Sequence, residues 1–175
     1  MGGHALMPII ETDRLQLREF TVSDAPDLFA LNGDPHVMRY TGDEPFESVE
    51  AAADFVRHYT HYREHGFGRW AVLLKRDGAF IGWCGLKRNE QDLIDLGFRF
   101  LRGYWNQGYA TEAAQACLDY GFRELGMETI IGRAAEANGA SIRVLEKLGM
   151  AFWKQDDCLG IPDSRYYQIH RPAQP

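Results

Sequence analysis

Leu101-Arg102-Gly103-Tyr104-Trp105-Asn106-Gln107-Gly108-Tyr109-Ala110-Thr111-Glu112-Ala113 joins a β-like run to an amphipathic helix through a turn rich in glycine and in hydrogen-bond donors. Strand, tight loop and helix start, in that order, bring several unpaired backbone N–H groups and the positive end of a helix dipole to one point, where a phosphate or pyrophosphate can sit. Gly108 lets the backbone approach a ligand closely, and Ala110 keeps the following turn slim. A dinucleotide loop would need three glycines in G-x-G-x-x-G and an acid about 20 residues further on, and a nucleoside triphosphate loop would need Gly-Lys before Ser or Thr. Neither occurs here, so the phosphate site is of another kind.

A second block, from Glu136 to Met150, reads as a strand end, a turn and a short helix closed by Gly149. Asn138 and Ser141 are both good helix-start residues. Ile142, Leu145 and Leu148 fall on one side of the helix, with Arg143, Glu146 and Lys147 on the other.

Together these stretches resemble the GNAT superfamily of acetyl-CoA-dependent N-acetyltransferases. The family's pyrophosphate loop reads Gln/Arg-x-x-Gly-x-Gly/Ala, and Gly108 and Ala110 fill its last two places. Trp105 departs from the first, but Tyr-Trp-x-x-Gly-Tyr-Ala-Thr-Glu-Ala is similar to the version in the branch that acetylates the N-termini (alanine or serine) of ribosomal proteins. Asn138-x-x-Ser141 followed by Lys147-Leu148-Gly149-Met150 resembles the second landmark. Glu11-Thr12-Asp13-Arg14-Leu15-x-Leu17-Arg18 and Asp34-Pro35-x-Val37-Met38-Arg39-Tyr40 are a third and a fourth match. The resemblance spans residues 10 to 170 and implies an α+β GNAT (acyl-CoA N-acyltransferase) fold, with a mixed, mostly antiparallel sheet of about seven strands and four helices.

The residue pattern fits that order. Strands are expected at 10–19, 68–75, 79–88, 92–101, 128–135, 151–157 and 165–171, with helices at 24–32, 48–65, 109–125 and 139–148. Asp77-Gly78 is a strong hairpin turn between the second and third strands. No linker or repeat divides the chain, so residues 7–175 read as one domain, with residues 1–6 as a leader or a remnant of the expression vector.

With 175 residues, 45% of them hydrophobic, the chain can bury a proper core. No apolar run approaches 18 residues and no basic start precedes an apolar stretch, which argues against a membrane span and a secretory signal. Cys84, Cys117 and Cys158 are odd in number and read as reduced thiols of a cytoplasmic protein. His58, His61 and His65 lack a carboxylate or cysteine at matching spacing, so no metal site is expected. A net charge of -6 argues against nucleic acid and weakly suits a cationic acceptor.

The reaction implied by the resemblance is attack of a neutral amine on the acetyl thioester. It needs a cradle for acetyl-CoA as co-substrate, a donor for the oxyanion, a base for the ammonium proton and an acid for the departing thiolate. An α-amine, with a pKa near 8, makes a milder demand on the base than lysine at about 10.4. The cradle is expected in the backbone of Asn106, Gln107, Gly108, Tyr109, Ala110 and Thr111, with the Thr111 hydroxyl as a further donor. Gln107 could also reach the pyrophosphate, or point to water; Arg102 could serve as a counter-charge, or simply face solvent. The resemblance puts the oxyanion donor near Phe98, Arg99 and Phe100, on a bulged strand that splays from its neighbour.

For the base, Asp95 is the candidate, relaying a proton through water; the alternative is that it salt-bridges Arg99. Glu90 and Asp92 are weaker candidates. The resemblance makes Ser141 the candidate acid, since the N-terminal-acetylating branch places a serine here against the CoA sulfur, with helix capping as its competing role; Asn138 resembles the residue that positions pantetheine. The acceptor pocket is expected between residues 36–46 and the last two strands, with Tyr40, Phe46, Trp83 and Tyr166, and also Trp70, as the aromatics of interest. Asp43 and Glu44 could attract a cationic amine there. The acceptor is a peptide N-terminus or a small amine, and a homodimer would be in keeping with the family. The rival reading, from another class, is a catalytically silent CoA-binding module that serves as a sensor or partner-binding subunit.

Overall fold

Leu15 and Leu17 alternate with Gln16 and Arg18, and both leucines are fully buried. In the computed structural model, which describes residues 7–173, they belong to β2 (Leu15–Arg18), paired antiparallel with β1 (Ile10–Glu11). The strand expected over 10–19 is therefore a hairpin. Its turn closes locally: Thr12 N–H donates to the Leu15 carbonyl at 2.9 Å, and Leu15 N–H donates back to Thr12 Oγ1 at 3.0 Å. The leader expected at residues 1–6 lies outside the described residues.

The chain continues through α1 (Ala25–Gly33), α2 (Pro35–Met38), α3 (Val49–Arg57), α4 (His61–His65), β3 (Arg69–Leu74), β4 (Phe80–Arg88) and β5 (Ile94–Phe100). After the glycine-rich loop come α5 (Tyr109–Arg123), β6 (Thr129–Ala134), α6 (Gly139–Lys147), β7 (Ala151–Cys158) and β8 (Ile161–His170). Splitting the first strand raises the expected seven strands to eight. The helix expected over 48–65 is also divided. After the break, Tyr59 and Tyr62 turn inward: Tyr59 Oη accepts from Arg69 N–H at 2.8 Å, and Tyr62 Oη accepts from Phe20 N–H at 3.1 Å. His61 keeps its ring 4.4 Å from that of His65 and binds the Phe67 carbonyl and Arg88 N–H.

All eight strands form one sheet in the order β1-β2-β3-β4-β5-β6-β8-β7, antiparallel except at β5–β6. One face packs against α5, where Ala113, Ala114, Cys117 and Leu118 meet Leu86, Leu96 and Phe100. The other face packs at its β3–β4 end against α1 and α3, through Leu28, Leu31, Ala52 and Ala53. The helix expected over 109–125 thus buries one side on the sheet, as an amphipathic helix does.

The parallel contact is short. Only Asp95↔Ile131 and Leu96↔Gly132 pair, after which β5 and β6 diverge. The bulge expected in β5 does not occur: its register on β4 is unbroken from Gly82↔Phe100 to Arg88↔Ile94, and the irregularity lies between β3 and β4 at Val72/Leu73. The splay comes from the divergence of β6 alone.

Close approach of β3 to β4 depends on Gly85, where an added Cβ would lie 2.2 Å from the Gly68 carbonyl oxygen and 2.7 Å from Arg69 Cα. Both obstacles are backbone, so the strands would have to part. Gly85→Ala is expected to cost about 2–3 kcal/mol, read as a lower urea midpoint at unchanged m-value.

Candidate active site

The loop between β5 and α5 holds two residues in the left-handed region, Asn106 (φ 62°) and Gly108 (φ 82°). This alternation turns successive N–H groups to one side. Among the described residues, the amides of Asn106, Gln107, Gly108, Tyr109, Ala110 and Thr111 donate to no protein acceptor, and the helical ladder begins only at Glu112 N–H to Gly108 O, 3.0 Å. Six donors and the positive end of a 15-residue helix therefore face a common space. All but Gln107 line one large cavity of about 1020 Å³.

The N-terminal hairpin clamps this loop. Glu112 accepts from Thr12 Oγ1 at 2.5 Å, from Arg14 Nε at 2.7 Å and from Arg14 N–H at 3.1 Å. Arg14 Nη1 also donates to the Gln107 carbonyl at 3.0 Å, and its guanidinium lies 4.2 Å from the Tyr109 ring centre. Burial opposes the charge on Glu112, but the bonds from Thr12 and Arg14 outweigh it and hold the carboxyl below its ordinary value of 4.5. On the other side, Trp105 Nε1 donates to the Phe100 carbonyl at 2.8 Å and pins the loop to the free end of β5. The tryptophan that breaks the general loop pattern thus has a structural task of its own.

Leu101 N–H bonds to Ile81 O, and Asn89 N–H to Leu93 O, at the two ends of the β4–β5 ladder. In an antiparallel pair the hydrogen-bonded positions alternate, so the odd-numbered residues of β5 face β4. The amides of Phe98 and Phe100 consequently point into the gap that β6 leaves. Across that gap lies the start of α6. There Asn138 Oδ1 accepts from Ser141 N–H at 3.2 Å, so Asn138 is the cap and Ser141 is not. The Ser141 hydroxyl has no protein partner among the described residues and lines the cavity, as does Asn138.

The floor beyond the gap is charged. By register, Arg69, Trp83, Lys87, Asp95, Arg99 and Arg133 share one face of the central strands. Asp95, 4% exposed, receives Arg133 Nη2 at 2.8 Å and Asn89 Nδ2 at 3.3 Å, with Arg69 Nη2 at 3.9 Å. Its expected partner Arg99 instead bonds Asp43 at 2.8 Å and Asn32 at 3.0 Å. Burial opposes the charge on Arg133, but a hydrogen bond to Glu90 and the field of Asp95 hold it more firmly protonated than usual. The same bond from Arg133 pulls the Glu90 carboxyl below its usual range. Asp92 pairs with Arg88 at 2.9 Å.

Tyr40, Phe46 and Trp83 line the cavity with Asp95, Phe98, Arg99 and Phe100. Four other expected residues stand apart from it. Tyr166 is fully buried and its hydroxyl donates to the Asp157 carbonyl at 2.6 Å; Trp70 is buried against Tyr120. The Gln107 amide folds back on the Gly103 carbonyl at 3.1 Å, and Arg102 meets Asp34 at 3.4 Å. Arg14 as the loop clamp, and Arg69, Lys87 and Arg133 on the floor, are functional positions absent from the residues expected above. An arginine or lysine inside a buried strand was the signal available for these three.

A model of the acetyltransferase (GNAT) domain matches residues 14–151, and the chain belongs to this family of acetyltransferases. It is 33% identical to the uncharacterized N-acetyltransferase YoaA of Bacillus subtilis, over 97% of this chain and 100% of that protein. A GNAT-family acetyltransferase structure from Bacillus anthracis is 30% identical and covers 93% of this chain and 98% of its own, with a TM-score of 0.76. Two more distant structures share the fold. A ribosomal L7/L12 α-N-protein acetyltransferase, RimL, in complex with coenzyme A is 16% identical, with a TM-score of 0.79 over 94% of this chain and 98% of its own. Spermidine N-acetyltransferase from Vibrio cholerae, in complex with CoA and spermine, is 20% identical, with a TM-score of 0.77 over 91% and 97%. The ribosomal-protein branch is thus represented among the neighbours, but not alone.

Two outcomes are expected at the cradle. Gly108→Asp puts a Cβ at a left-handed position 3.3 Å from Arg14 Nη2 and a negative charge beside the free amides. Its affinity for CoA should fall by about two orders of magnitude in calorimetry, roughly 3 kcal/mol. For Glu112 the folded carboxyl is the stronger acid, so its contribution to stability is present above 4.5 and lost as pH falls through the lower folded value. The stability gap between wild type and Glu112→Gln should be constant near neutrality and close on acidification, as followed by urea unfolding.

Proposed function

We propose that this acetyltransferase moves an acetyl group from acetyl-CoA to a primary amine by direct attack on the thioester, the amine belonging to a peptide N-terminus or a small molecule. The observation that carries this reading is the row of free amides from Asn106 to Thr111, all but Gln107 lining the same cavity as Ser141 and the unpaired edge of β5. The residues suit the co-substrate: the loop presents donors without acceptors, Gly108 offers no side chain, and the β5–β6 gap has the form of a missing strand. Acetyl-CoA would supply the activated acyl group and a thiolate leaving group.

In this reading the loop amides hold the diphosphate, and Asn138 and the edge of β5 orient the pantetheine arm. The Phe98 and Phe100 amides lie where negative charge on the acyl oxygen would be met by fixed donors. Ser141 hydrogen-bonds the sulfur and passes it a proton by way of water. Asp95 and Arg133 fix the floor, and a water held at Asp95 carries off the amine proton. Surrounding guanidinium groups lower the proton affinity of any ammonium bound beside them, which lightens the task of the base. The cytoplasm is the inferred site of action, in keeping with three free cysteines. No helix of the described residues is long and apolar enough to cross a membrane.

A thiol-release assay with acetyl-CoA against N-terminal peptides, amino acids and polyamines tests this directly. Amine-dependent release supports the reading; binding of acetyl-CoA with no release against any amine contradicts it. Ser141→Ala should lower kcat by about 10²-fold while leaving the Kd for CoA within twofold. An equal loss in both would make the serine a structural residue.

A further inference from the structure

The chain carries a net charge of -6, yet its cavity is lined by seven lysine and arginine side chains against three acidic ones. Three of the seven are exposed, Arg143 and Lys147 on α6 and Arg39 just after α2. The others belong to the end away from the diphosphate cradle, the part left for an acceptor. There Arg99 is neutralised by Asp43, and Arg133 by Glu90 and Asp95. Arg69 uses Nη1 on the Gly85 and Asp95 carbonyls, at 2.8 and 2.7 Å, while its Nη2 comes only within 3.9 Å of Asp95. Lys87 stands directly opposite Asp95 in register but makes no salt bridge or hydrogen bond among the described residues.

These groups are held in place. Arg69 lies flat across the sheet because residue 97 is glycine: an added Cβ there would sit 2.5 Å from its Nη2. Its guanidinium and that of Arg99 both lie over the Trp83 ring, 5.3 and 5.2 Å from the centre. The indole that could otherwise stack on a cationic acceptor already carries two cations. Burial, and then the field of Arg69, lower the proton affinity of Lys87. A half-buried ammonium within the field of an under-used guanidinium is unfavourable without an anion, and a carboxylate can accept charge-assisted bonds from both groups.

We propose that the acceptor is a small amine that also bears a carboxylate, of the amino-acid class, with that carboxylate held by Lys87 and Arg69. The proposal rests on the acetyl-transfer reading and narrows its acceptor. A polyamine would add positive charge to a wall that already has a surplus. The charge-assisted bonds to the carboxylate fix the amino acid's orientation, and the neighbouring cations favour the neutral form of its amine.

Matched acceptors test it with the intact wild-type protein: tyrosine against tyramine, lysine against cadaverine, and spermidine beside them, by thiol release from acetyl-CoA. The carboxylate-bearing member of each pair should have a kcat/KM at least about tenfold higher, and spermidine should be the poorest acceptor. Lys87→Met should erase the preference chiefly by raising KM for the amino acids, and Lys87→Arg should restore most of it; calorimetry with acetyl-CoA reports that each variant is folded. Tyramine and cadaverine turning over as well as tyrosine and lysine would overturn the carboxylate site while leaving acetyl transfer standing, as would a preference that survives in a folded Lys87→Met. Bound acetyl-CoA with no release against any amine would overturn both.

Discussion

A helix start leaves its first backbone N–H groups without a partner inside the helix, and an anion can take that place. Among the described residues six amides in a row, from Asn106 to Thr111, have no protein acceptor, and left-handed backbone at Asn106 and Gly108 aims them. Much of the surrounding structure exists to hold that arrangement. Arg14 and Thr12 grip Glu112 from one side, Trp105 ties the loop to the last carbonyl of β5 from the other, and the apolar side of α5 fixes the helix axis on the sheet. The divergence of β6 after Leu96 then opens a path from these amides to Ser141.

The charged floor follows a different logic. Five charged side chains, Arg69, Lys87, Asp95, Arg99 and Arg133, occupy inner strands on one face. They are tolerable there because carbonyls, Asn89, Glu90 and Asp43 answer most of their charge. What they leave unanswered sits at Lys87. The glycines at 85 and 97 belong to the same design: one lets β3 come close, the other lets the Arg69 side chain lie across the sheet.

Much of the fold could be read in the sequence because it rests on periodicity and local turn chemistry. The alternation of β2, the hairpin at Asp77-Gly78, the amphipathic α5 and the Ile142-Leu145-Leu148 row are all local patterns, and the hairpin, the helix and the row appear where expected. The cradle could be read for the same reason, since strand, glycine turn and helix are contiguous. Side-chain partnerships could not. Asp95 and Arg99 are neighbours on one face, but their partners, Arg133 on β6 and Asp43 before α3, depend on how distant segments close over the sheet. Likewise nothing local shows that Tyr166 turns its hydroxyl to Asp157, or that Arg102 reaches back to Asp34.

The most direct test of the account is a titration of ¹⁵N-labelled protein with coenzyme A, followed by amide chemical shifts. The account predicts that the largest changes fall on residues 106–111, joined by Phe98 and Phe100 along the open edge of β5. Saturable binding whose shifts cluster elsewhere, with those amides unmoved, would contradict it.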